Sequence, residues 1–131
     1  MLFLDTNIIS YFLSGHKNVT TAIVNRFEDN VVLCMTVVNV YEVLKGFRWR
    51  KNKQFETKFN ALLKNLRIYT IDERVVDIAS KRYSELRRKG INICDADILI
   101  AGIVIANNGI LVTNNTKHFK NIDHLKIENW V

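Results

Sequence analysis

Short apolar runs alternate along the chain with longer segments in which apolar residues recur at helical spacing. The runs at 1–5, 31–35, 66–71 and 110–113 have the length and composition of buried strands, and a shorter one at 125–127 is typical of an edge strand. The segments between them predict helices at 8–13, 19–27, 37–49, 51–65, 72–90 and 95–107. Strands that alternate with helices predict an α/β fold, a three-layer sandwich around a mostly parallel sheet of four to five strands.

Two of the predicted helices contain glycine, which is unfavourable inside a helix and therefore calls for a structural explanation. In the helix 37–49, Thr36 is a suitable N-cap, and the apolar stripe consists of Val37, Val40, Tyr41, Leu44 and Phe47. Gly46 costs roughly 1 kcal/mol in a helix interior, so it predicts either a close approach by another chain or the end of the helix. In the helix 95–107, the pair Ala101-Gly102 predicts close packing on the sheet.

Length and composition are typical of one domain, which we expect to span residues 1–131. The chain has a mass of 15.2 kDa, is 48% hydrophobic and contains no proline, so it can bury a sizeable core and shows no linker. No basic start precedes a long apolar run, so neither a signal peptide nor a membrane span is expected. Cys34 and Cys94 lie in or beside apolar segments, which predicts reduced thiols in a cytoplasmic protein rather than a disulfide or a zinc site.

The chain is basic, with a formal net charge of +6 and a pI near 9.5. The positive charge is concentrated in the segments 45–53 and 81–89. Such a surface suits a polyanion such as RNA or an acidic protein partner. Solubility alone explains a charge of this size equally well.

Three acids that lie far apart in the sequence flank predicted strands. Asp5 ends the first strand, Glu42 lies in the helix after the second, and Asp97 lies in the first turn of the helix before the fourth. In a parallel α/β sheet these positions converge on one edge, where crowded carboxylates repel each other unless they are neutralised. Oxygen ligands with no His or Cys nearby suit Mg²⁺ or Mn²⁺, and such an ion can activate a water for attack on a phosphodiester.

Each acid taken alone has an ordinary explanation. The segment Asp5-Thr6-Asn7 suits helix capping, because the side chains there can satisfy free amide groups. A Glu in the middle of a helix is usually solvated, and Lys45 offers Glu42 a weak surface pair. Asp95 is a good N-cap candidate for the helix that contains Asp97, and acids in a first turn are favoured by the helix dipole.

Polar residues also follow the fourth strand. Thr113, Asn114 and Asn115 can bind phosphate, orient a water or donate a ligand carbonyl. They can equally be ordinary turn residues, which is the commoner role of an Asn-Asn pair. Their place at the same predicted sheet edge adds them to the candidate site.

These motifs together resemble the PIN-domain ribonucleases, and more narrowly the VapC-type toxins of toxin–antitoxin pairs. The resemblance rests on Leu4-Asp5-Thr6-Asn7, on Glu42 with Gly46, on the segment 97–102 and on 112–115 followed by His118-Phe119. It covers essentially the whole chain, with the motifs in the family's order and at its spacing. The resemblance implies a Mg²⁺- or Mn²⁺-dependent endoribonuclease, usually a homodimer, that acts on RNA and is inhibited by a cognate antitoxin.

Residue roles follow from the resemblance by position. Asp5, Glu42 and Asp97 match the acidic metal ligands of the family, and Thr6 and Thr113 match polar supports. The catalytic set that the resemblance implies is Asp5, Glu42, Asp97, Thr113 and Asn115. Further support is expected from Thr6, Asp95 and Asn114.

One position departs from the fuller family pattern. Family members often have a fourth acid where this chain has Asn115, and an amide adds no charge to the site. We therefore expect one metal ion rather than two. Asp95 can compensate in part, although N-capping is our first interpretation of that residue.

The helix 37–49 ends in candidates for contacts with RNA phosphates, which are Lys45, Arg48, Arg50 and Lys51. The exposed part of this helix, with Trp49, can also form a groove for an antitoxin helix. Core packing accounts for most of its apolar stripe.

Two other functions remain open at this stage. A non-catalytic module with the same fold binds RNA or protein without cleavage under any metal. A response-regulator receiver also has strand-end acids that bind Mg²⁺, but it needs a phosphoacceptor Asp after the third strand. Asp72 and Glu73 look like helix-start residues there, and the first strand lacks the expected pair of acids.

Overall fold

Five short parallel strands form the centre of the molecule, and the computed structural model describes all 131 residues around them. The elements follow the chain in this order: β1 Leu2–Leu4, α1 Thr6–Leu13, α2 Lys17–Glu28, β2 Leu33–Thr36, α3 Val37–Trp49, α4 Lys53–Leu63, β3 Arg67–Tyr69, α5 Glu73–Arg88, α6 Asp95–Ala106, β4 Ile110–Val112, α7 Thr116–Phe119 and β5 Lys126–Glu128. Every strand pair is parallel, and the order across the sheet is β3-β2-β1-β4-β5. The predicted fold class is confirmed.

Alternating strand residues divide the core into two layers. Phe3 and Leu111 point into a cluster with the apolar residues of α5 and α6, whereas their neighbours Leu4 and Val112 point into a second cluster with α1 to α4. Successive side chains of a strand face opposite sides of the sheet, so the two clusters are its two covered faces. None of the helices combines the length and the apolar composition needed to cross a bilayer.

Thr36 caps α3 as predicted, since its hydroxyl oxygen accepts a hydrogen bond from the Asn39 amide at 3.1 Å. The buried face of α3 is different from the predicted stripe. It consists of Asn39, Val43 and Phe47, whereas Tyr41 is exposed. Apolar residues alone do not reveal that a buried asparagine begins the core-facing row of α3.

The structure differs from the predicted roles of two glycines, Gly46 and Gly102. Gly46 does not end its helix, because α3 continues for three more residues, and a Cβ at that position would meet only the Arg50 guanidinium at 3.7 Å. Gly102 does mark a close approach, but it is to α5 rather than to the sheet. A Cβ there would lie 3.1 Å from the Ala79 Cβ and 3.2 Å from the Val75 carbonyl oxygen.

The helix starts at the sheet edge also differ from the predictions. The N-cap of α1 is Asp5, whose carboxylate accepts from the Thr6 amide, and Thr6 and Asn7 lie inside the helix. The N-cap position of α6 is Cys94, which makes no side-chain capping bond, so Asp95 is not the N-cap. The short helix α7 follows Asn115 and was not predicted.

Candidate active site

The carboxyl edge of the sheet opens into a cavity of about 520 Å³ beside β1. Its lining is almost entirely polar: Asp5, Thr6, Asn7, Ser10, Tyr11, Ser14, Glu42, Asp97 and Asn115. The three acids that the sequence places far apart therefore face the same space. The elements that bring them there are the end of β1, the second turn of α3 and the first turn of α6.

Asp5 is the most enclosed of these acids, with 5% of its surface exposed. Its Oδ1 accepts from the Thr6 amide and from the Asn39 side-chain amide, both at 2.9 Å. Its Oδ2 accepts from the Thr113 hydroxyl at 2.6 Å and from the Asn7 side-chain amide at 3.1 Å. Four donors and no acceptor fix this carboxylate as a hydrogen-bond acceptor in one orientation.

Asn39 is a site residue that the sequence analysis missed. It is fully buried, and its Nδ2 donates to the Asp5 carboxylate and, at 3.1 Å, to the Thr6 hydroxyl oxygen. Its Oδ1 accepts the Thr36 hydroxyl at 2.7 Å, which fixes the direction of the amide. Its position in the sequence could have identified it, because Asn39, Val43 and Phe47 are spaced four residues apart and therefore lie on the same face of α3.

Glu42 and Asp97 are partly exposed and each has a polar partner. Glu42 Oε1 accepts the Thr6 hydroxyl at 2.9 Å. Asp97 Oδ2 lies 3.4 Å from His118 Nδ1. Cys94 also lies beside Asp97 at the start of α6, so the expectation that no His or Cys is near the acids is wrong.

Burial is the main influence on the titration of two of the acids. It raises the pKa of Asp5, against the hydrogen bonds from Thr113, Thr6 and Asn39, and the charge of Asp97 adds to the rise. Burial also raises the pKa of Glu42. The Thr6 hydroxyl opposes that rise, and the charges of Asp5 and Asp97 add to it. The negative charges of the three acids therefore oppose one another across the cavity.

The donor chemistry of this cavity fits a hard divalent cation. Three carboxylates supply oxygen ligands and negative charge, and the buried Asp5 carboxylate is already oriented by its donors. No group of three His, Cys, Asp or Glu side chains has metal-binding spacing in this structure. Since Thr6 holds Glu42 and His118 faces Asp97, those two acids line the cavity without converging on Asp5.

The residues after β4 complete one wall of the site. Thr113 is fully buried, and besides donating to Asp5 its hydroxyl oxygen accepts the Asn115 amide at 2.9 Å. The Asn114 amide donates to Asn7 Oδ1 at 3.0 Å, so Asn114 positions a residue that itself contacts Asp5. Asn115 lines the cavity at the start of α7.

Asp95 lies outside the cavity. Its side chain is exposed and borders a separate groove between α5 and α6, with Val76, Tyr83 and Leu99. A helix turns by about 100° per residue, so a residue two positions before Asp97 faces away from it. The expectation that Asp95 supports the site is wrong.

None of the basic candidates lines the cavity. Lys45, Arg48, Arg50 and Lys51 are all exposed at the end of α3. The Arg48 Nε is 2.8 Å from Glu56 Oε1. A separate groove is lined by Tyr41, Leu44, Lys45, Arg48 and Trp49.

The raised pKa values predict how the stability of the metal-free protein depends on pH. A carboxyl group whose pKa is higher in the folded state than its ordinary value (3.8 for Asp5, 4.5 for Glu42) favours folding while it is protonated. This contribution is present below the ordinary values and is lost as pH rises through the folded-state pKa values. We expect the free energy of unfolding in EDTA to show this loss, and Asp5→Asn to reduce it. Urea titrations between pH 3 and 8 measure both, and an unchanged pH dependence in the variant would contradict the burial of Asp5.

Comparisons with known proteins agree with one another. Residues 2–125 match the family model described as PIN domain. The chain is 32% identical to Ribonuclease VapC2 of Rickettsia felis, over 97% of this chain and 96% of that protein. It is 29% identical to the tRNA(fMet)-specific endonuclease VapC of Shigella flexneri, again over 97% and 96%. The crystal structure of VapBC2 from Rickettsia felis bound to a promoter DNA fragment contains a chain that matches with a TM-score of 0.89, 31% identity and full coverage of both chains.

Proposed function

The chain belongs to the PIN domain family and is an endoribonuclease toxin of the VapC type, and we propose that it cleaves RNA with a Mg²⁺ or Mn²⁺ ion held by Asp5, Glu42 and Asp97. The observation that supports this most is the polar cavity that all three carboxylates line. A bound cation of this kind supplies positive charge that activates water and stabilises the charge developing on a phosphodiester.

The side chains of the chain have separate tasks in this proposal. Asp5 is the fixed ligand, because four donors hold its carboxylate before any ion arrives. The Thr6 hydroxyl donates a hydrogen bond to Glu42. The Thr113 hydroxyl donates to Asp5 and accepts from the Asn115 backbone amide, so it links these two residues. Because Asn115 brings an amide and no charge, the site offers three negative charges, which is enough for one divalent ion.

The proposal is tested by cleavage of RNA by the purified chain. We expect cleavage with Mg²⁺ or Mn²⁺, none in EDTA, and recovery when excess metal is added back. The same ions are expected to raise the melting temperature, because they bind the folded state and relieve the repulsion between the acids. Cleavage that persists in EDTA would contradict the metal site. Binding of RNA without cleavage under any metal would instead identify a non-catalytic module.

We also propose a cognate antitoxin and a second copy of the chain as protein partners. Support for the antitoxin comes from structural matches to VapBC assemblies, including VapBC2 of Rickettsia felis and VapBC-1 of Haemophilus influenzae. A short acidic protein encoded beside this chain is the expected partner. Co-purification of the two tests the pairing, and light scattering on the toxin alone tests the homodimer.

A further inference from the structure

Two large aromatic side chains on α3 are exposed to solvent. Tyr41 is 62% exposed and Trp49 is 86% exposed, although fully buried Phe3, Phe59 and Phe119 show that the core readily takes aromatic rings. Exposing a whole indole ring leaves its apolar surface in water. Tyr41 and Trp49 line one groove of about 530 Å³, and they are separated by roughly 12 Å along the helix axis.

Cations lie between and beside the two rings. The Lys45 ammonium lies 5.0 Å from the centre of the Tyr41 ring, and Arg48 also lines the groove. Arg50 follows directly after Trp49 and is exposed. The only aliphatic lining residue is Leu44, so the groove offers aromatic faces and positive charge rather than the continuous apolar surface that an amphipathic helix needs.

The groove and the candidate active site both border the helix α3. Glu42, which lines the catalytic cavity, is the next residue after Tyr41. Because a helix turns by about 100° per residue, Tyr41 and Glu42 place the groove and the cavity on neighbouring faces of α3.

We propose that Tyr41 and Trp49 form a stacking subsite for unpaired RNA bases, with Lys45 and Arg48 bound to the adjoining phosphates. This inference rests on the proposed function, since it names the form of RNA that the same site takes. Stacking uses the flat face of a base, which a duplex hides, so the subsite selects single-stranded segments without reading their sequence. Alternating aromatic rings and cations are the usual means of binding such strands.

The experiment uses the full chain with Trp130→Phe, which leaves Trp49 as its only tryptophan, in EDTA so that RNA stays intact. The probes are an oligoadenylate, an abasic ribose-phosphate of equal length and an RNA duplex. We expect the oligoadenylate to quench Trp49 emission to saturation, and the other two to leave it unchanged. Trp49→Ala, with native Trp130, is expected to weaken oligoadenylate binding roughly tenfold by anisotropy, which is within the range for loss of one stacked base.

A matched control and a kinetic readout separate stacking from a structural effect. Tyr83 on α5 is 38% exposed and borders the other groove, so Tyr83→Ala is expected to leave RNA affinity unchanged. With metal present, Trp49→Ala is expected to raise KM roughly tenfold while kcat changes by less than about twofold.

Three results would overturn the subsite. They are binding of oligoadenylate without quenching, equal RNA affinity in the Trp49 and Tyr83 variants, and loss of antitoxin co-purification in Trp49→Ala with RNA affinity unchanged. The last result would make the groove a protein-docking surface. Quenching by RNA in a chain that cleaves nothing under any metal would support the subsite and contradict the nuclease proposal, so the two failures are distinguishable.

Discussion

Asp5→Asn is expected to lower kcat/KM for RNA cleavage by at least about 100-fold, which corresponds to roughly 2.7 kcal/mol of lost transition-state stabilisation. The substitution keeps the size of the side chain and removes one of the three charges that attract a divalent cation. The new side-chain amide group would also face the four groups that donate hydrogen bonds to Asp5. Of these four, only the Thr113 hydroxyl can rotate to accept a hydrogen bond instead. The measurement is cleavage of a labelled RNA at saturating Mg²⁺.

The fold is expected to survive this substitution. In the metal-free protein the buried charge of Asp5 is unfavourable, since burial raises its pKa, and an amide removes that cost. Asp95→Asn is the matched control, because it makes the same change of charge on an exposed residue outside the cavity. We expect that control to keep full activity. Full activity in Asp5→Asn itself would contradict the metal-ligand assignment.

Asn39→Ala is expected to lower the free energy of unfolding by about 2–4 kcal/mol and to slow cleavage. The lost amide is fully buried and hydrogen-bonds three side chains, Asp5, Thr6 and Thr36. Its removal leaves the buried Thr36 hydroxyl without its acceptor and takes one donor from the Asp5 carboxylate. Urea unfolding followed by circular dichroism measures the stability.

An exposed asparagine provides the comparison for this second variant. Asn25 lies on α2 away from the site, and Asn25→Ala is expected to change stability by less than about 0.5 kcal/mol. The Asn39 variant is also expected to need more Mg²⁺ for half-maximal cleavage, because Asp5 is less firmly oriented. If both variants unfold at the same urea concentration, the network around Asn39 does not stabilise the site as inferred.

The pattern of apolar residues was sufficient to predict the sheet and the residues at its carboxyl edge. Strand runs are short and continuous in this chain, so their ends could be placed closely, and Asp5 and Thr113 follow directly from them. Thr36 was predictable because a capping side chain acts on an amide three residues away. These features depend on local sequence.

The features that the sequence did not reveal depend on which face of a helix a side chain occupies and on contacts between residues far apart in the sequence. Asn39 belongs to the buried face of α3, but a search for regularly spaced apolar residues passes over a polar residue on that face. His118 reaches Asp97 through α7, a helix of four residues that is too short for a periodic pattern. Asp95 is only two residues from Asp97 in the sequence, but the helix turns its side chain toward a different groove.

The place of β1 in the sheet has a consequence for the way the toxin is synthesised. β1 is the first strand to leave the ribosome, yet it lies between β2 and β4, and its Asp5 receives the Thr113 hydroxyl from a position 108 residues later. Contacts of such large sequence separation form late in folding, because a long loop must be closed first. A nascent chain therefore gains a complete active site only after β4 and Thr113 have been made, long after Asp5.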